Sequence, residues 1–192
     1  DVYKRQVLDL PTLIAEHFAG MPVVVCANLP YYITSPIIMR LLEGPLPIRS
    51  LTVMVQKEAA VRITAAPGTR ECGAISAAVW YYSTPKLLFP VSRGSFLPAP
   101  AVDSAVIRLD LPQELPEDLP PREDFFAVVR AGFGQRRKTM LNSLSAGLRW
   151  EKDATRALLT AAGIAENTRA EQVTLEQWKA LTRAYFSMKK SR

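Results

Sequence analysis

Short apolar runs rich in β-branched residues recur along the first 111 residues of this chain, separated by stretches of helical period. MPVVVCAN (21–28) reads as a buried strand, RSLTVMVQ (49–56) as a second, and STPKLLFPV (83–91) and SAVIRLDL (104–111) as two more. Ser35-Pro36 fits an N-cap and first-turn pair, opening a helix through about Leu42. KEAAVRITAA (57–66) and GAISAAVWYY (73–82) read as helices between the later strands. Continuous apolar strands alternating with helices predict an α/β unit with a mostly parallel sheet covered on both faces.

The pattern then changes. LPQELPEDLPPRED (111–124) sets four prolines among acidic residues, a composition that disfavours both helix and sheet. We place a domain boundary there: residues 1–112 form the α/β part, 113–121 a Pro-rich linker, and 122–192 a small all-helical domain. REDFFAVVRAGF is amphipathic, RRKTMLNSLSAGL follows it, and EKDATRALLTAAG ends at Gly163, as a C-cap requires. Thr174 and Gln177 form a capping box ahead of LEQWKALTRAYFSM, whose Leu175, Trp178, Leu181, Tyr185 and Met188 share one face. Gly132-x-Gly134 follows no strand and reads as a break between helices.

Charge sharpens this division. The net charge is +6, and residues 125–192 carry 13 Lys and Arg against 5 Asp and Glu, while residues 1–124 carry 11 against 13. A basic helical third points to a polyanionic partner. Cys26 and Cys72 do not make a disulfide framework, and one histidine with no C-x-x-C leaves no basis for a metal site. No apolar run is long enough to span a bilayer, and the N-terminus has no signal-like core, so a cytoplasmic protein without a membrane partner is expected.

The candidate chemistry lies where the first strand ends, at Asn28-Leu29-Pro30-Tyr31. Ligands of open parallel sheets bind beyond the carboxyl ends of strands. Asn28 offers one acceptor and two donors. Pro30 holds Leu29 extended, so that the Leu29 carbonyl can face outward. Tyr31 adds a flat ring. Together they suit a flipped-out nucleobase bearing an exocyclic amine.

N-L-P-Y resembles the [DNS]-P-P-[YF] motif of amino-methyltransferases, and NLPYYITSPIIMRLL resembles the KsgA-type ribosomal RNA adenine dimethyltransferases. VMVQKEAAVRI, SFLPAPAVDSAVIRL and FGQRRKTMLNSL match further segments of that family in order, from about Leu8 to Phe186. The resemblance implies a class I, Rossmann-like methyltransferase sheet followed by a helical RNA-binding domain. It implies S-adenosylmethionine-dependent N6,N6-dimethylation of two adjacent adenines in 16S ribosomal RNA, by a monomer acting on the 30S subunit. It assigns catalysis to Asn28, Leu29, Pro30 and Tyr31, base stacking to Tyr31 and Phe96, cofactor contact to Asn28, and RNA contact to Gln135, Arg136, Arg137 and Lys138. Tyr32 inherits no role and is expected to pack.

The family's G-x-G-x-G loop and its ribose-binding acidic residue have no counterpart here. The expectation is an N-terminally truncated chain that lacks the opening strands and most of the cofactor pocket, is inactive alone, and exposes an apolar sheet edge. Asp1 is not assigned to the cofactor, and residues 1–6 fit the family poorly. Two other readings stay open: an Erm-type 23S ribosomal RNA adenine dimethyltransferase, and a non-catalytic RNA-binding assembly factor.

Overall fold

The computed structural model describes residues 9–44, 46–117, 119–135 and 137–190. They form two compact units. One holds the chain up to Ala60 together with Tyr82–Gln113, and the other holds Val61–Tyr81 together with the chain from Glu114 onward. The second unit is therefore discontinuous, whereas the sequence suggested a boundary only at the Pro-rich segment.

The first unit opens with α1 (Leu10–His17), a helix the apolar pattern did not predict. Its signal is local: the Asp9 carboxylate accepts hydrogen bonds from the Thr12 backbone N–H and from the Thr12 hydroxyl, the latter at 2.6 Å, just ahead of Pro11. The sheet consists of β1 (Val23–Asn28), β2 (Ile48–Gln56), β3 (Thr84–Val91) and β4 (Ser104–Asp110), in the order β1-β2-β4-β3. β1 and β2 pair in parallel, while β4 runs antiparallel to both β2 and β3. Three strands thus share one direction and the last is inserted against them, which makes the sheet mixed rather than mostly parallel in its pairing. The 92–103 connection carries only a 3-10 turn (Arg93–Ser95) and no crossover helix, and it reverses the chain.

Position in the sheet decides burial. Leu51, Val53 and Val55 of β2 and Ile107 and Leu109 of β4 are fully buried. β1 and β3 are the edges of the described sheet. The sequence predicted β1 as a buried strand, but it alternates, with Val24 68% exposed and Cys26 exposed. It is paired on one side only, and one of its faces is uncovered among the described residues. β3 carries Pro85 and Pro90, which an edge tolerates because its outward backbone groups need no ladder partner.

α2 (Thr34–Glu43) follows a 3-10 turn over Tyr31–Ile33. Its cap position is Ile33, not Ser35, and no side chain caps it. The turn runs straight into the helix, and the Thr34 hydroxyl donates to the Pro30 carbonyl at 3.2 Å. Pro36 therefore falls inside the first turn, where a missing N–H costs nothing. The chain between β2 and β3 carries α3 (Lys57–Thr64) and α4 (Ala74–Tyr82).

In the helical unit α5 (Arg122–Phe133), α6 (Met140–Leu148), α7 (Lys152–Ala161) and α8 (Leu175–Lys190) surround a core of Phe125, Val128, Met140, Leu144, Leu158, Leu159, Trp178 and Leu181, all fully buried. Tyr81 lays its ring 4.6 Å from that of Phe125, and its hydroxyl donates to the Pro120 carbonyl at 2.9 Å. These contacts tie the 61–81 segment to the helices. Gly163, at φ +64°, closes α7 in a Schellman motif: Ile164 N–H reaches the Leu159 carbonyl and Gly163 N–H that of Thr160. The capping box before α8 is formed, Thr174 N–H donating to Gln177 Oε1 at 3.0 Å and Gln177 N–H to Thr174 Oγ1 at 3.3 Å.

Candidate base-binding strand tip and basic turn

Asn28 is the last residue of β1 and stands opposite Met54 of β2. The chain holds the strand register for one more step, since Leu29 N–H donates to the Met54 carbonyl at 3.1 Å. Leu29 turns its side chain into the core, 5% exposed, and this burial anchors the tip. Pro30 then leaves the ladder with φ −59° and ψ 130°. Among the described residues the exposed Asn28 amide has no hydrogen-bond partner and the Leu29 carbonyl accepts none. A terminal amide and a carbonyl left open side by side can accept two hydrogen bonds from one amine.

Tyr31 is half-buried, and its hydroxyl lies 2.7 Å from the Ser104 hydroxyl. Ser104 opens β4 and is fully buried. The sequence did not single it out, although it ends the S-F-L-P-A-P-A-V-D-S segment. The bond joins two motifs 73 residues apart and holds the Tyr31 ring at its far end. Tyr32 is 72% exposed and does not pack. Successive residues of a 3-10 turn point about 120° apart, so turning Tyr31 toward Ser104 turns Tyr32 out.

Phe96 sits in the 92–103 loop between β3 and β4. Val91 and Gln56 both stand opposite Ser104, so this loop leaves the sheet at the same end as the Asn28 tip. The loop is well tied. Asp103 accepts Arg93 N–H on its carboxylate at 3.0 Å and Lys57 N–H on its carbonyl at 3.0 Å, and Arg93 also donates to the Ala101 carbonyl. Phe96 is half-buried and stacks on no other ring among the described residues. Its neighbour Leu97 is fully exposed.

The basic run lies in the helical unit. Its described members Gln135, Arg137 and Lys138 lie in the turn between α5 and α6, since α6 begins only at Met140, whose N–H is taken by the Thr168 carbonyl at 2.7 Å. Gln135, Arg137 and Lys138 are exposed there, and Arg136 lies outside the described residues. Arg137 and Lys138 have no acidic partner among the described residues. Three other cations of this unit are paired: Arg156 with Asp153 and Glu166, Lys179 with Glu176, and Lys189 with Asp124. Arg137 and Lys138 thus leave positive charge open to solvent at this turn, where fixed cations can meet a polyanion.

Among the described residues no group of His, Cys, Asp and Glu could hold a metal ion, and no helix is long and apolar enough to cross a membrane. The described strands are followed by no glycine-rich loop that would receive S-adenosylmethionine.

Residues 1–186 match the family model described as ribosomal RNA adenine dimethylase. A protein of Alkaliphilus oremlandii named ribosomal RNA small subunit methyltransferase A is 52% identical over 91% of this chain and 61% of its own length. One of the same name from Alkaliphilus metalliredigens is 49% identical over 95% of this chain and 65% of its own. The chain therefore spans less than two thirds of these relatives. Among solved structures, a dimethyladenosine transferase from Plasmodium falciparum superposes with a TM-score of 0.69 at 22% identity, over 85% of this chain and 68% of that one. The 23S rRNA methyltransferase ErmE does so with a TM-score of 0.63 at 27% identity, over 86% and 66%. With its strand-tip motif, its fold and its sequence all matching, this chain belongs to the ribosomal RNA adenine dimethylase family.

Proposed function

We propose that this chain carries the acceptor side of an adenine N6,N6-dimethyltransferase acting on two adjacent adenines of small-subunit ribosomal RNA. The observation that supports it most is the open pair of acceptors at the strand tip, beside an aromatic ring tethered at its hydroxyl. The N6 lone pair of adenine is conjugated with the ring and is a poor nucleophile. Hydrogen bonds from N6 to Asn28 Oδ1 and the Leu29 carbonyl favour a tetrahedral nitrogen and free that pair. The Tyr31 ring stacks on the base, Phe96 covers its other face, and both hold the amine in line for transfer, a positioning effect. S-adenosylmethionine, when bound, supplies the electrophilic methyl group. Asn28 is the residue of this chain that faces both donor and acceptor. Gln135, Arg136, Arg137 and Lys138 hold RNA phosphates, which set register without reading sequence.

The test uses a chimera carrying the preceding portion of a curated relative ahead of this chain, assayed for methyl transfer to undermethylated 30S and 50S particles. Transfer to 30S, lost in Asn28→Ala, is expected, and the 192-residue chain alone is expected to transfer none. Transfer to 50S instead favours the Erm-type reading. RNA binding without transfer to either particle favours an assembly factor.

A further inference from the structure

A second concavity lies in the helical unit. Between α5 and α6 there is an open cavity of about 190 Å³, smaller than the ~300–1,000 Å³ typical of small-molecule sites. Its floor is made by the close approach of the two helices: a Cβ added to Gly147 would lie 2.6 Å from the Ala131 Cβ. Arg130, Gly134, Gln135, Ser143 and Ala146 complete the lining. The chemistry of this wall is selective. It holds no aromatic ring on which a base could stack and no carboxylate that would repel an anion. Arg130 is exposed and has no acidic partner among the described residues. Ser143 is buried, and its hydroxyl donates to the Gln135 carbonyl at 3.4 Å, which ties the Gln135 backbone down and leaves its side-chain amide at the cavity. Arg137 and Lys138 follow in the same turn.

We propose that this cavity receives one ribose-phosphate unit of an RNA backbone, with the Arg130 guanidinium on the phosphate and the Gln135 amide on a phosphate or ribose oxygen. The proposal rests on the RNA-methyltransferase reading and adds a defined seat to what would otherwise be a diffuse basic surface. A planar guanidinium bonds a phosphate through two parallel N–H groups. A floor of glycine and alanine admits the backbone, where larger side chains would exclude it.

The test measures fluorescence anisotropy of a labelled hairpin from small-subunit ribosomal RNA, titrated with the 192-residue chain across a range of salt. Three variants separate the ideas, each checked by circular dichroism and melting temperature. Arg130→Gln should weaken binding about tenfold, the lower end for a charge-assisted hydrogen bond, and should reduce the salt slope by about one. Ala146→Met, at an exposed position, fills the cavity without changing charge and should weaken binding severalfold. Arg137→Ala with Lys138→Ala reports on the basic turn by itself. If that pair weakens binding while Ala146→Met binds like the parent chain, the cavity proposal is overturned and the RNA reading stands. If none of the three changes affinity, both fall. Inorganic phosphate distinguishes the remaining source. If it raises the melting temperature of the parent chain but not of Ala146→Met, and Ala146→Met leaves RNA affinity unchanged, the cavity is a seat for a free anion and the proposal is wrong.

Discussion

The bond between Tyr31 and Ser104 can be tested through stability alone, without cofactor or RNA. The two hydroxyls are 2.7 Å apart, Ser104 is fully buried and Tyr31 is half-buried. Tyr31→Phe strands the Ser104 hydroxyl away from water. An unsatisfied buried group of this kind costs ~1–3 kcal/mol. Ser104→Ala leaves the Tyr31 hydroxyl within reach of solvent, so only the net bond of ~0.5–1.5 kcal/mol is lost. Removing both partners leaves no orphan. The double variant should therefore be more stable than Tyr31→Phe alone, with a coupling of about 1 kcal/mol. Urea unfolding followed by far-UV circular dichroism is the suitable probe, because Trp80, Trp150 and Trp178 all lie in the other compact unit and their fluorescence reports on that unit. The comparison is of midpoints at constant slope, and each kcal/mol corresponds to ~2–4 °C of melting temperature at this chain length. Strictly additive effects of the two substitutions would refute the bond as the tether of the ring.

Three further outcomes follow from the packing. Gly147→Ala should destabilise by up to ~2 kcal/mol, the overpacking cost of ~1–3 kcal/mol for a methyl that would lie 2.6 Å from the Ala131 Cβ less a helix-propensity gain of ~1 kcal/mol; a stabilised variant would contradict the close approach. Cys26 is exposed, while Cys72 is buried and its thiol is pushed up by that burial, so a thiol reagent at neutral pH should modify Cys26 rapidly and Cys72 only on unfolding; equal rates would count against the packing around Cys72. The Asp110 carboxyl is held below the usual range by hydrogen bonds from Arg108 and then Lys86, so its contribution is complete above the unfolded carboxylate value of about 3.9 and is lost as pH falls through the lower folded value. Asp110→Asn should flatten the acid limb of the stability curve slightly, the pair being partly exposed, and an unchanged limb would remove the linkage.

Much of the fold is written locally. Runs of Val, Leu and Ile bounded by turn residues marked the strands, Thr174 and Gln177 announced α8, and Gly163 ended α7, since each of these depends on neighbours a few residues away. The strand tip was equally legible: Pro30 and the apolar Leu29 anchor determine where Asn28 and Tyr31 stand. The errors share a cause. Ser35 reads as a cap because the pattern does not show a 3-10 turn feeding the helix, and β1 reads as buried because apolar content does not reveal an edge position in the sheet. Arg137 and Lys138 are legible as charge but not as a turn, because Thr168 fixes the start of α6 from a distant segment.

Periodicity, caps and motif chemistry are properties of the chain read in order, so they determine which elements form, where most of them end, and which groups are candidates for binding. Partner choice across long separations is different in kind. Inserting β4 between β2 and β3, joining Val61–Tyr81 to the helices, bringing Ser104 to Tyr31 and opening a cavity beside Gln135 each depend on how distant surfaces fit once loops have closed. That fit follows from close packing summed over many residues, which no local stretch of sequence carries.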